Sequence, residues 1–172
     1  MLIIGVDPGQ KGGIAYWNGV EMSAMPMPLA GKEIDIETLA GATKAKLPVN
    51  HLGVQGINLF GVVEKVHSMP KQGVSSSMKF GKNYGIILGV LGALRIPVQL
   101  VTPQAWKKEI LAGSKKDKDA AIEYVRLKYP NVRLIPPGCR KPHDGIADAV
   151  CICEMGVKLQ PRIKEIKRED LR

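Results

Sequence analysis

The sequence predicts an α/β domain built as a mixed β-sheet flanked by helices. Three observations carry this. Short β-branched runs at 2–7, 57–66 and 96–101 lack a polar face, the pattern of strands covered on both sides. An Asn18-Gly19 pair between two short apolar segments marks an antiparallel hairpin. Helical patterns then alternate with strands from residue 34 onward, which places helices against a sheet.

The first strand is LIIGVD (2–7), and it ends in Asp7. GIAYW (13–17) and VEMSAM (20–25) form the hairpin, and MPMPLAGKE (25–33) reads as loop. IDIETLAGATKAKL (34–47) reads as a helix closed by Pro48, and INLFGVVEKV (57–66) as a strand ending in the carboxylate Glu64. A polar connection over 67–81 runs into a helix continuing through NYGIILGVLGAL (83–94). Its Gly85, Gly89 and Gly92 share one face. That face suits either another helix or the protein's own sheet. IPVQLV (96–101) is the next strand. Thr102 and Pro103 occupy the N-cap and N1 positions of a short helix. GSKKDKDAAIEYVRLKYP (113–130) reads as a helix with Ser114 as cap and Pro130 as stop. Residues 131–142 form an irregular basic loop, and 143–159 the last helix. Residues 1–160 are expected to make one domain, with 161–172 a charged tail, either solvated helix or disorder.

A length of 172 residues suits a single core, and the net charge of +9 favours a polyanionic partner. Nucleic acid comes first and an anionic membrane surface second. The three cysteines, Cys139, Cys151 and Cys153, lack the spacing of a disulfide framework or a zinc site. No signal peptide and no apolar span of membrane length is evident. The expectation is therefore a soluble, cytoplasmic protein.

Four carboxylates stand out by position. Asp7 and Glu64 end buried strands, where ligand groups gather in open sheets. Asp144 and Asp148 lie four apart in the last helix, about 40° from one another around its axis. Asp144 could instead cap that helix. Asp148 sits among Ile146, Ala147, Ala149, Val150 and Ile152, where a lone charge wants a partner. A cluster of four acids repels itself unless cations neutralise it. All-oxygen donors suit two Mg²⁺ ions, with Mn²⁺ an option, the usual clamp for hydrolysis of a phosphodiester.

These residues carry a resemblance. GVDPGxxGG with Asp7, VVEKV with Glu64 and HDGIADA with Asp144 and Asp148 resemble the RuvC-like Holliday junction resolvases. QGVSSSMKFGKNYGIILGVLGALRIPVQLVTPQAWKK looks like the central segment of the phage-type branch, and the likeness spans roughly residues 1–158. It implies a ribonuclease H-like fold with a five-stranded mixed sheet. It further implies a homodimer, joined through the helix around residues 78–94, that nicks four-way branched DNA symmetrically and leaves 5′-phosphate and 3′-hydroxyl ends. A bacterial cytoplasm, with phage or prophage origin, goes with it. A flap or RNA–DNA hybrid nuclease on the same fold and a non-catalytic junction-binding module are the rival readings.

By motif match the metal ligands are Asp7, Glu64, Asp144 and Asp148, with Lys107 and Lys118 beside the scissile phosphate. Lys71, Lys79, Lys82, Lys108, Lys115 and Lys116 extend the expected nucleic-acid surface. Bacterial relatives space their last two acids three apart, where this chain spaces them four apart. They also carry a phenylalanine three residues after the glutamate, where this chain has His67, with Met69 and Phe80 nearby. His67 can still stack on a base. His143, beside Asp144, is open to a ligand or acid–base role or to a plain helix-end role.

Overall fold

A computed structural model describes residues 1–48, 59–65, 73–114 and 119–169. In chain order these form strands β1 (Leu2–Asp7), β2 (Gly13–Trp17), β3 (Met22–Pro26), β4 (Leu29–Ala30) and β5 (Glu33–Ile34), then helix α1 (Ile36–Lys46) and strand β6 (Leu59–Glu64). Helix α2 (Val74–Ala93), strand β7 (Val98–Val101) and helices α3 (Pro103–Ile110), α4 (Ala120–Lys128) and α5 (Asp144–Glu169) follow. Five strands make one sheet in the order β3-β2-β1-β6-β7. β1 pairs antiparallel with β2 and parallel with β6, so the sheet is mixed, as the hairpin and the later crossovers require.

The alternation of β1 divides the molecule into two layers. Leu2, Ile4 and Val6 point to one face, where they pack with Leu39 of α1 and with Ile87, Val90 and Leu91 of α2. Ile3 points to the other face, with Val62 of β6, Trp106 of α3, Val125 of α4 and the α5 residues Ile146, Val150 and Cys153. Asp7 follows Ile3 and Gly5 in period two, and Glu64 follows Val62, so both carboxylates belong to the α5 face.

Several boundaries differ from expectation, each for a local reason. The hairpin turn takes in Asn18–Glu21, because the Asn18 Oδ1 accepts from the backbone N–H of Val20 (2.9 Å) and Glu21 (2.8 Å). The expected loop 25–33 holds the end of β3 and a small β4–β5 ribbon that turns at Gly31 (φ +64°). Helix α1 starts two residues late because Asp35 caps it, accepting from the Thr38 N–H at 3.0 Å. Helix α2 begins at Val74, inside the segment read as a connection. Ile96 closes α2 rather than opening the next strand: its N–H donates to the Leu91 carbonyl (2.9 Å), past Arg95 in the left-handed region (φ +54°). The Thr102 hydroxyl caps α3 as expected, accepting from the Ala105 N–H at 3.2 Å. Ser114 is not the cap of α4, whose N-cap position is Asp119. Helix α5 begins at Asp144 and continues past Leu159 to Glu169.

Candidate active site

The site is assembled by how closely α5 lies on the sheet. A Cβ on Gly5 of β1 would come within 2.2 Å of the Cys153 nitrogen and 2.4 Å of the Ala149 carbonyl oxygen. A Cβ on Gly145 would meet the Lys11 carbonyl oxygen at 2.1 Å, and one on Gly13 would meet the Gly145 carbonyl oxygen at 2.6 Å. The start of α5 is thus pressed onto the turn after β1, a contact only glycines permit. Gly12 is equally constrained, since its Cβ would meet the Asp7 carbonyl oxygen at 2.1 Å. Gly9 is not: a Cβ there finds ordinary contacts. Its part is to offer a backbone N–H to Asp7 Oδ1 at 3.4 Å.

Asp7, Glu64 and Asp148 lie within electrostatic reach of one another under this contact. The parallel register Val6↔Val63 continues one step to set Asp7 beside Glu64. Burial pushes Asp7 up to about 7, and the neighbouring Glu64 and Asp148 push in the same direction, against the Gly9 N–H and Lys107. Burial likewise pushes Asp148 up to about 6, opposed by Lys107 and assisted by Glu64 and Asp144. Asp144 is exposed at the first turn of α5, at the margin of the group. It does not cap the helix. That role falls to His143, whose Nδ1 accepts from the Ile146 N–H at 3.3 Å. The contact gives His143 a helix-end role and occupies one of its two ring nitrogens.

Trp106 is the residue the sequence reading passed over. It is fully buried, and its indole N–H donates to Glu64 Oε2 at 2.7 Å. Lys107 Nζ lies 5.1 Å from the Trp106 ring centroid, within cation–π range. Trp106 with Ile110 as the buried pair of α3 was the available signal, since an i, i+4 apolar pair shows which way a short helix faces. That an indole would hold the strand-end glutamate needed the register of β6 as well.

The other expected contacts divide. Lys107 and Lys108 lie exposed on α3, on the carboxylate side. Lys79 and Lys82 are exposed on α2, which packs on the opposite face, and Lys82 is ion-paired with Glu33. His67, Met69, Lys71, Lys115, Lys116 and Lys118 lie outside the described residues.

Chemically, the donor set fits a hard divalent cation: carboxylate oxygens, two of them raised by burial and mutual repulsion, with one lysine nearby. The side chains do not form a closed cage. Among the described residues no three His, Cys, Asp or Glu side chains are grouped so as to hold a metal ion.

A five-stranded mixed sheet in this order, flanked by helices, is a ribonuclease H-like α/β fold, and it is similar to that of solved RuvC structures. The similar solved structures include RuvC of Thermus thermophilus in complex with a Holliday junction substrate, at TM-score 0.53 and 21% identity, covering 89% of this chain and 90% of that one. A second Thermus thermophilus RuvC structure matches at TM-score 0.52 and 20% identity, covering 89% of this chain and 91% of that one. No protein-family model and no curated protein matches the chain. No helix among the described residues is long and apolar enough to cross a membrane.

Proposed function

We propose that this protein is a metal-dependent, structure-selective endonuclease that resolves four-way DNA junctions by paired symmetric nicks. The observation that carries the reading is that Asp148 of α5 acts electrostatically on Asp7 and Glu64, which end the adjacent strands β1 and β6, in a fold like that of RuvC. Buried like charges are tolerated where they have work to do with a cation or a proton. The net charge of +9 supplies attraction for the DNA.

Asp7, Glu64, Asp144 and Asp148 would hold two Mg²⁺ or Mn²⁺ ions, which supply an activated water and a charge sink for the leaving oxygen. The protein's own groups do the positioning. Trp106 fixes one oxygen of Glu64. The cationic Lys107, which acts on both Asp7 and Asp148, offers positive charge to the phosphate. Among the described residues the glycine face of α2 is open: a Cβ on Gly81, Gly85, Gly89 or Gly92 would find nothing within 4 Å there. A second copy of the chain seated on that face would make the homodimer that two symmetric nicks require.

The test is cleavage of an immobile four-way junction against duplex, flap and RNA–DNA hybrid, in Mg²⁺ or EDTA, with Asp7→Asn as control. Paired nicks on the junction, lost in EDTA and in the variant, are the expected result. Better cutting of flaps or hybrids would transfer the function to a related nuclease. Junction binding with no cleavage under any metal would leave a binding module.

A further inference from the structure

The carboxylate site makes no use of the basic loop before α5. Its construction is deliberate. Between Glu123 and Asp144 the chain carries the cations Arg126, Lys128, Arg133, Arg140 and Lys141 and no acidic residue. Lys128 is tied to the buried Glu154. Arg126, Arg133, Arg140 and Lys141 are exposed and form no ion pair among the described residues.

The loop is nonetheless firmly anchored. Val132 (8% exposed) and Leu134 (6%) enter the α5-side core, and Pro136 is buried. The Val132 N–H donates to the Tyr129 carbonyl (2.9 Å), and the His143 N–H closes the neck on the Leu134 carbonyl (2.8 Å). The alternation of buried Val132, Leu134 and Pro136 forces Arg133 and Ile135 outward. Arg133 and Arg126, from the last turn of α4, then line one open cavity of about 460 Å³ with the 134–139 segment. That is room for a phosphate and part of its nucleoside. The neck also fixes where the cavity lies. Arg133 and Asp144 each stand one residue beyond the closing hydrogen bond, so their Cα atoms are within about 10–15 Å by chain reach.

We infer that this cavity is a second phosphate-binding site, in which Arg126 and Arg133 grip the backbone of the DNA strand a few nucleotides from the bond cut at the carboxylates. Paired guanidinium forks suit a phosphate held in one orientation, which point-charge lysines do not provide. The inference rests on the nucleic-acid reading above and assigns residues that reading does not use.

The test measures binding, not cleavage. Labelled four-way junction and plain duplex are titrated by anisotropy against Asp7→Asn protein in EDTA, across a salt series. Adding Arg126→Ala and Arg133→Ala should weaken binding at least 10-fold at low salt and lower the slope of log K against log salt by about 2. The Lys–Lys pair at these positions should keep the slope while losing several-fold in affinity. Both changes are at exposed positions, and an unchanged melting temperature identifies a loss as local. Unaltered affinity and slope in the Ala pair, or full affinity in the Lys pair, would overturn the inference. If the parent protein binds no DNA at all, the proposed function itself has failed, an outcome distinct from the others.

Discussion

Helices α5 and α2 carry small residues at the same spacing: Gly145, Ala149, Cys153 and Gly156 on one, Gly81, Gly85, Gly89 and Gly92 on the other. On α5 that row is in contact along its length. It meets Lys11 and Gly12 at its start, Gly5 in the middle, and Ile3 with Val62 at Gly156, where a Cβ would approach their methyl carbons to 2.6 and 2.9 Å. On α2 the row meets nothing among the described residues. The difference lies in the partner surface rather than in the stripe. β1 offers its own glycine, Gly5, opposite α5, so backbone meets backbone. Towards α2, β1 presents Leu2, Ile4 and Val6, and α2 answers with Ile87, Val90 and Leu91, leaving its glycines outside. A small-residue stripe therefore says that close approach is possible. It does not say to what.

The largest effect is expected where α5 brings its carboxylate to the strands. Asp7→Asn should lower junction cleavage by more than about 100-fold while leaving DNA binding in place. The same change has a measurable consequence for stability. A carboxylate held at about 7 when folded, against 3.8 in the unconstrained state, favours folding fully below pH ~4 and loses that contribution as pH rises through 7. In EDTA the wild-type melting temperature should fall between pH 5 and pH 8, and Asp7→Asn should flatten that fall. A profile equally steep in the variant would remove Asp7 from the buried group.

Next comes the contact itself. Gly5→Ala places a methyl against the backbone of Cys153 and Ala149, where neither neighbour can rotate away. A loss of about 3 kcal/mol or more in urea unfolding is expected. A loss under 1 kcal/mol would mean that α5 rides higher on the sheet than described, and the site would be looser with it.

Much of this was legible beforehand, for identifiable reasons. The five main strands and the mixed sheet followed from short apolar runs and one hairpin signal. Asp7 and Glu64 stood out because each breaks an apolar run at its end. Asp148 stood out because a charge among buried residues is conspicuous. Asp144 and His143 were harder. Both lie at a helix start, and only the hydrogen bond from Ile146 to the imidazole shows which one caps it. Gly145 could not be read at all. Its role depends on the turn at Lys11 and Gly12, more than 130 residues earlier in the chain. Trp106 was hidden for a similar reason, since its partner Glu64 is 42 residues away.

Trp106→Phe tests that second long-range contact. It keeps a buried ring and deletes the N–H that holds Glu64. About a 10-fold weakening of Mn²⁺ binding by calorimetry is expected, the usual scale for losing a group that orients a metal ligand. Stability should fall by about 1 kcal/mol. A stability loss of that size with unchanged Mn²⁺ affinity would make Trp106 a core residue only.

The smallest effect, and the one that separates the two helices most sharply, is expected at Gly89. Alanine there meets nothing within 4 Å among the described residues. In a solvent-facing helix, replacing glycine by alanine should raise stability by about 0.5–1 kcal/mol. Gly89→Leu should fold equally well as a monomer, because the added side chain projects away from Ile87 and Leu91. If α2 is the face that a second copy covers, the leucine should block its approach, and light scattering should report the mass of one chain where the wild type gives two. The two variants then divide the reading between them. Stabilisation by alanine with dimers lost to leucine would mean that α2 reserves for a partner the closeness that α5 uses on its own sheet. Dimers that survive leucine would place the interface elsewhere and leave the α2 stripe as exposed glycine with no packing duty.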